Sequence, residues 1–155
     1  MREFSGRGPA LDRLDRGARL VYSAFLVFLA FGLLSAAVLH WDGMKDGAAA
    51  WWRGDEAAMT YPKSARQLWE LTHFHLFTEP VVWLVVAHLY HMGGGRALVS
   101  IGTMLAIAVQ IVLPWVIVYA SASVAPLFWP ATGAVVLGLG WMIADSLVRM
   151  WSSRS

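Results

Sequence analysis

From Leu20 to Leu39 the chain runs for 20 residues without a charged side chain. At about 1.5 Å rise per residue, a helix of that length crosses the roughly 30 Å hydrocarbon core of a bilayer. Backbone polar groups in lipid must be satisfied within the segment, which leaves the helix as the structure for such a run. A cleavable signal peptide is the competing reading, because Ser35 and Ala37 are small enough to flank a cleavage point. The run exceeds the ~7–15 residues of an ordinary signal core, which favours the spanning helix. Three more apolar stretches follow, at about 68–92, 97–120 and 127–148. The sequence therefore predicts an all-α fold, an integral membrane four-helix bundle occupying 20–155 with spans at about 20–39, 68–92, 97–120 and 127–148.

The segments between the runs differ in character. Residues 1–19 are polar and Arg-rich and read as a cytoplasmic N-terminal segment. Residues 40–67 form a long outer loop of mixed charge, whose Ala-rich centre with Trp51 and Trp52 suits a short helix lying on the membrane. Pro62 and Ser64 mark a start for the second long helix, and Gly93-Gly94-Gly95 a stop. With four spans, Arg2, Arg7, Arg13, Arg16, Arg19, Arg96, Arg149 and Arg154 fall on one side, against Lys45, Arg53, Lys63 and Arg66 on the other. The positive-inside bias puts both termini in the cytoplasm, as expected of a multi-pass protein of a bacterial inner (plasma) membrane.

Composition narrows the chemistry. With 58% hydrophobic and 14% charged residues, the chain is too apolar for a soluble domain of 155 residues. A formal charge of +2 comes from Arg residues near the ends, with no base-reading or phosphate-binding motif, so the bilayer and not nucleic acid is the expected partner. The absence of cysteine removes disulfides, thiolate metal sites, iron–sulfur clusters and thioether-linked haem. Any metal or haem must be held by His, Met or carboxylate.

Such groups concentrate in one place. The apolar stretch Trp69–Met92 carries His73, His75, His88 and His91, four of the five histidines, and Glu79; the fifth, His40, closes the first span. Ionisable groups inside a membrane segment are expensive and mark function. His73 and His88 are about 22 Å apart along a helix, so the two pairs lie near opposite faces of the bilayer and describe two sites. At about 100° per residue His73, Phe77, His88 and His91 share one broad face, and His75 and Glu79 another. Glu79 is a candidate proton-relay or cofactor-tuning group. His40 matches His73 or His75 in depth, which makes bis-His ligation available at the outer end. The inner end lacks a second imidazole within the chain; Met104, Met142 or a second subunit would have to supply the ligand. Ala134/Gly138 and Gly140/Ala144 provide close-approach spacings on the last span. Gln110 reads as a helix–helix hydrogen bond, and Asp145 as the partner of Arg149.

In layout, and in the AHLYHM turn that ends the second span, the chain resembles the small membrane b-type cytochromes, including the diheme four-helix cytochromes of the b561 kind. Their same-helix ligands are spaced much as His73 or His75 is from His88. The third and fourth spans here contain no histidine, where those families place ligands on two or more helices. The resemblance implies haem b, one before two, with axial ligands among His40, His73, His75, His88 and His91, and quinone as a candidate redox partner. The expected function is electron transfer within or across the membrane, as a subunit of a redox complex or a homodimer, without bond-making catalysis of its own. A cofactor-free scaffold subunit is the alternative, and a copper- or iron-handling membrane protein the third reading.

Overall fold

The computed structural model describes residues 11–152. They form five α-helices: α1 (Arg16–Gly43), α2 (Ala48–Arg53), α3 (Ala65–Met92), α4 (Ala97–Tyr119) and α5 (Phe128–Trp151). Short 3-10 turns at Leu11–Arg13 and Ala122–Leu127 precede α1 and α5. Among the described residues there is no strand. The caps follow the sequence. Asp15 opens α1 by accepting from the Ala18 N–H at 2.9 Å. Ser64 opens α3 in a capping box with Gln67, at the expected start.

Three helical segments are long and apolar enough to cross a membrane: α1, α4, and Ala122–Trp151, which joins the second 3-10 turn to α5. At 28 residues α3 equals α1 in length, but its histidines and Glu79 lower its hydropathy. Pro80 and Pro114 lie inside α3 and α4 without ending either.

α5 is the central element and packs against α1, α3 and α4. Its buried residues include Thr132, Val135, Leu139, Met142, Ile143 and Ser146, a stripe at helical spacing. α4 offers the matching stripe of Thr103, Ile107, Gln110, Leu113 and Ile117. Gly138 lets the two helices come together, since a Cβ there would collide with the Thr103 side chain. Gly140, the other expected contact glycine, faces open space. α1 buries only Leu26 completely and turns Phe28, Phe31, Leu34 and Leu39 outward, a surface that suits lipid and not water.

Buried side chains form two clusters. One, around Leu26, Val86, Ile107 and Met142, fills the middle and the end where α1 begins; the other, around Trp52, Leu68, Ile117 and Phe128, closes the opposite end under α2. That second end carries Trp41 against Trp129 with ring centroids 5.4 Å apart, and Trp69 against Trp115 at 4.8 Å. Aromatic belts of this kind gather at membrane interfaces. α2 is the short Trp-bearing helix expected in the 40–67 loop, with Trp52 buried against Phe128 at 5.8 Å and Lys63 standing 4.2 Å over the Trp51 ring.

Candidate functional site: a cleft between α1 and α3

α1 and α3 both lean on α5 without packing extensively on each other, and a cleft of about 320 Å³ lies between them. One wall comes from α1, where Gly32, Ala36 and His40 recur every fourth residue with Leu29 and Leu33 alongside. The opposite wall is the α3 face bearing His75, Thr78, Glu79 and Val82. Gln110 of α4 and Thr132 of α5 contribute polar groups to an otherwise apolar floor. Small residues on α1 hold the cleft open, and an added Cβ at Gly32 would touch nothing. A smaller cavity of about 30 Å³ adjoins it and is also lined by His40, His75 and Gln110, together with Trp52 and Thr72.

The two histidines of the cleft are set alike. His40 Nδ1 donates to the Ala36 carbonyl at 2.8 Å, one turn back on its own helix. His75 Nδ1 lies 2.7 Å from Glu79 Oε1, one turn ahead on its own helix, and donates to that carboxylate. With Nδ1 donating in this way, each ring turns Nε2 away from any hydrogen-bond partner among the described residues. Histidines that bind metal through Nε2 show this second-sphere arrangement, in which a carbonyl or carboxylate fixes the tautomer and raises ligand basicity. The His75 and Glu79 side chains retain only 27% and 20% of their exposure. His40 lies beside the buried Phe128 ring, with centroids 6.3 Å apart and the planes nearly parallel.

The other three histidines are placed differently. His73 is exposed on the face of α3 turned away from the cleft, with its ring 5.4 Å from that of Phe77. His88 is exposed near the other end of α3. His91 has both ring nitrogens engaged: Nδ1 donates to the Gly95 carbonyl at 3.2 Å, and Nε2 is 2.9 Å from Ser100 Oγ. It ties the end of α3 to the start of α4. The face shared by His73, Phe77 and His88 thus looks outward, and the His75/Glu79 face looks into the protein. Among the described residues, no three His, Asp or Glu side chains gather as a bare metal ion would need.

The floor of the cleft holds a feature that sequence reasoning missed. Glu79 Oε2, Gln110 Oε1 and Thr132 Oγ1 are all buried and have no hydrogen-bond partner among the described residues. Gln110 and Thr132 are each 8% exposed. An unsatisfied buried acceptor costs about 1–3 kcal/mol, so three beside one cleft are a concentrated expense. Gln110, expected to bridge helices, bonds to neither neighbour. Thr132 had no distinguishing mark beyond being a hydroxyl in an apolar run, and only the α4–α5 pairing brings it to Gln110.

At the end of the bundle opposite α2, Arg149 holds Asp145 at 2.6 Å, as its spacing predicts, and also donates to the Gly93 carbonyl at 2.8 Å. That contact latches α5 to the turn after α3.

Helices of this length and apolarity define a multi-pass helical membrane protein. More specifically, the chain belongs to the Aq_1264_TM family, a transmembrane helical domain whose family model matches residues 42–155. That range contains His75, Glu79, Gln110 and Thr132, and begins just after His40. No curated protein and no solved structure matches the chain.

Proposed function

We propose that the protein is a membrane b-type haem carrier, in which His40 and His75 would hold one haem at the end of the bundle covered by α2. In this reading α3 is the fourth span, both termini are cytoplasmic, and the chain serves as an electron-transfer subunit in a bacterial inner membrane. One observation carries the reading: two imidazoles on different helices line the same cleft with Nδ1 satisfied and Nε2 free. A porphyrin supplies four nitrogens itself, so two imidazoles are all it asks of the protein. The cleft is open on one side, so an occupant larger than the enclosed volume extends toward the acyl chains.

When bound, the haem would supply one-electron exchange; the chain's part is to hold it, orient both rings and exclude water. Glu79 acts as a positioning residue by fixing the His75 ring. The engaged nitrogens of His91 favour one haem over two within a subunit. Purification from membranes tests the reading. A Soret band that shifts on dithionite reduction, with about one haem per chain, is expected; a colourless, iron-free preparation from haem-replete cells overturns it.

A further inference from the structure

We propose that the end of the bundle where α1 begins is a docking surface for the headgroups of anionic phospholipids, gripped by Arg13, Arg16 and Arg96. It lies at the opposite end from His40 and His75, and it is independent of the haem reading and of the orientation in the membrane. The observation that carries it is how the cations of the two ends are spent. At the α2 end Lys45 lies 3.8 Å from Asp42, Arg66 lies 2.9 Å from Glu70, and Lys63 stands over Trp51. At the other end Arg19 donates to the Leu14 and Asp12 carbonyls at 2.8 and 2.7 Å, and Arg149 to Asp145 and the Gly93 carbonyl. Arg13, Arg16 and Arg96 remain, exposed and without a side-chain partner among the described residues. The acids nearby are committed: Asp15 caps α1, Asp145 is held by Arg149, and Asp12 is engaged as well.

The fold holds these guanidiniums at one level. Arg19 binds the Leu11–Arg13 turn back onto α1 through the two carbonyls, and Leu11, 1% exposed, packs beside Gly93. Arg13 is thereby set near the turn between α3 and α4, and Arg96 closes that turn three residues after Gly93. Arg16 opens the first turn of α1. Trp151, half exposed at the same end, donates from Nε1 to Ser23 Oγ at 2.8 Å, and an indole so placed marks headgroup depth. Toward the bundle centre from Arg96, Leu98, Ile101 and Leu105 of α4 turn outward at helical spacing, an apolar face for acyl chains. Guanidinium forks match phosphate oxygens. A zwitterionic headgroup brings its own ammonium to its phosphate, whereas an anionic one leaves a net negative charge for the protein to meet. Unpaired cations therefore select the anionic lipid.

The test reconstitutes the full-length protein in phosphatidylcholine vesicles. Electron spin resonance then measures the immobilised fraction of spin-labelled phosphatidylglycerol and, separately, of spin-labelled phosphatidylcholine with the same acyl chains. The anionic lipid should associate at least about fivefold more strongly, the factor that one arginine contributes near a negative headgroup. Arg13→Gln, Arg16→Gln and Arg96→Gln should each reduce that preference, and the triple variant should bring it close to one. Arg66→Gln, at the α2 end, should leave it unchanged. The three inner side chains are exposed and unpartnered, so their variants should fold as the parent does, which circular dichroism verifies. Equal association of the two lipids with the parent, or an undiminished preference in the triple variant, would overturn the proposal. Displacement of phosphatidylglycerol by inorganic phosphate at constant ionic strength would also overturn it, because the surface would then belong to a soluble anion. The readout is lipid mobility and not haem absorbance, so this surface and the haem site stand or fall separately.

Discussion

His40 and His75 reach the same protonation pattern from unlike partners, one a backbone carbonyl and the other a carboxylate. The carboxylate is the tunable one. Glu79→Ala leaves His75 Nδ1 without its acceptor, and haem affinity should fall about 10–100-fold, as is usual when an outer-shell partner is lost. Glu79→Gln keeps an acceptor but removes the charge, so the ferric form loses support and the midpoint potential should rise in a redox titration; an unchanged potential would separate Glu79 from the haem. Gln110→Leu should raise thermal stability in detergent by about 1 kcal/mol, since an unsatisfied buried amide is removed. Such a gain would show that the polar floor is kept for something other than folding. These roles were only partly legible in the sequence. The His75/Glu79 pair is visible as an i, i+4 spacing, but which face of α3 turns inward depends on where α5 sits. Thr132 and Gln110 are 22 residues apart in sequence, and only helix pairing brings them together.

The helices themselves were the most legible level. Runs free of charge, the Ser64 cap and the Ala-Trp centre of α2 each follow local rules that tertiary packing did not override. Gly138 illustrates the limit. Two small-residue spacings looked equivalent on α5, yet Gly138 lies against Thr103 whereas Gly140 has nothing within 4 Å. Gly138→Val should therefore cost about 1–3 kcal/mol through overpacking, and Gly140→Ala close to nothing, in paired thermal denaturation. At the end of α3, His91→Ala removes the bond to Gly95 and the contact with Ser100. A loss of about 1 kcal/mol with an unchanged visible spectrum is expected there; lost haem absorbance would make His91 a ligand.

Over the whole molecule, the two ends differ in charge. Arg13, Arg16, Arg19, Arg96 and Arg149 gather where α1 begins, and Lys45, Arg53, Lys63 and Arg66 sit among five acidic residues, Asp42, Asp46, Asp55, Glu56 and Glu70, at the α2 end. With four spans this asymmetry places the α2 end outside. An alkaline phosphatase inserted after Glu56 should be active and one fused at the C-terminus inactive; the reverse pattern would invert the topology, and two active fusions would take α3 out of the bilayer. The fusions matter because the side on which the α2 end lies would decide from where the proposed haem exchanges electrons. The claim on which the account turns is that the inward-facing imidazoles, and not the outward-facing ones, hold iron. Reduced-minus-oxidised spectra of four single variants test it most directly. His40→Ala and His75→Ala should each abolish or strongly diminish the haem bands, and His73→Ala and His88→Ala should leave them intact. Full spectra in the first pair, or loss in the second, would contradict the account.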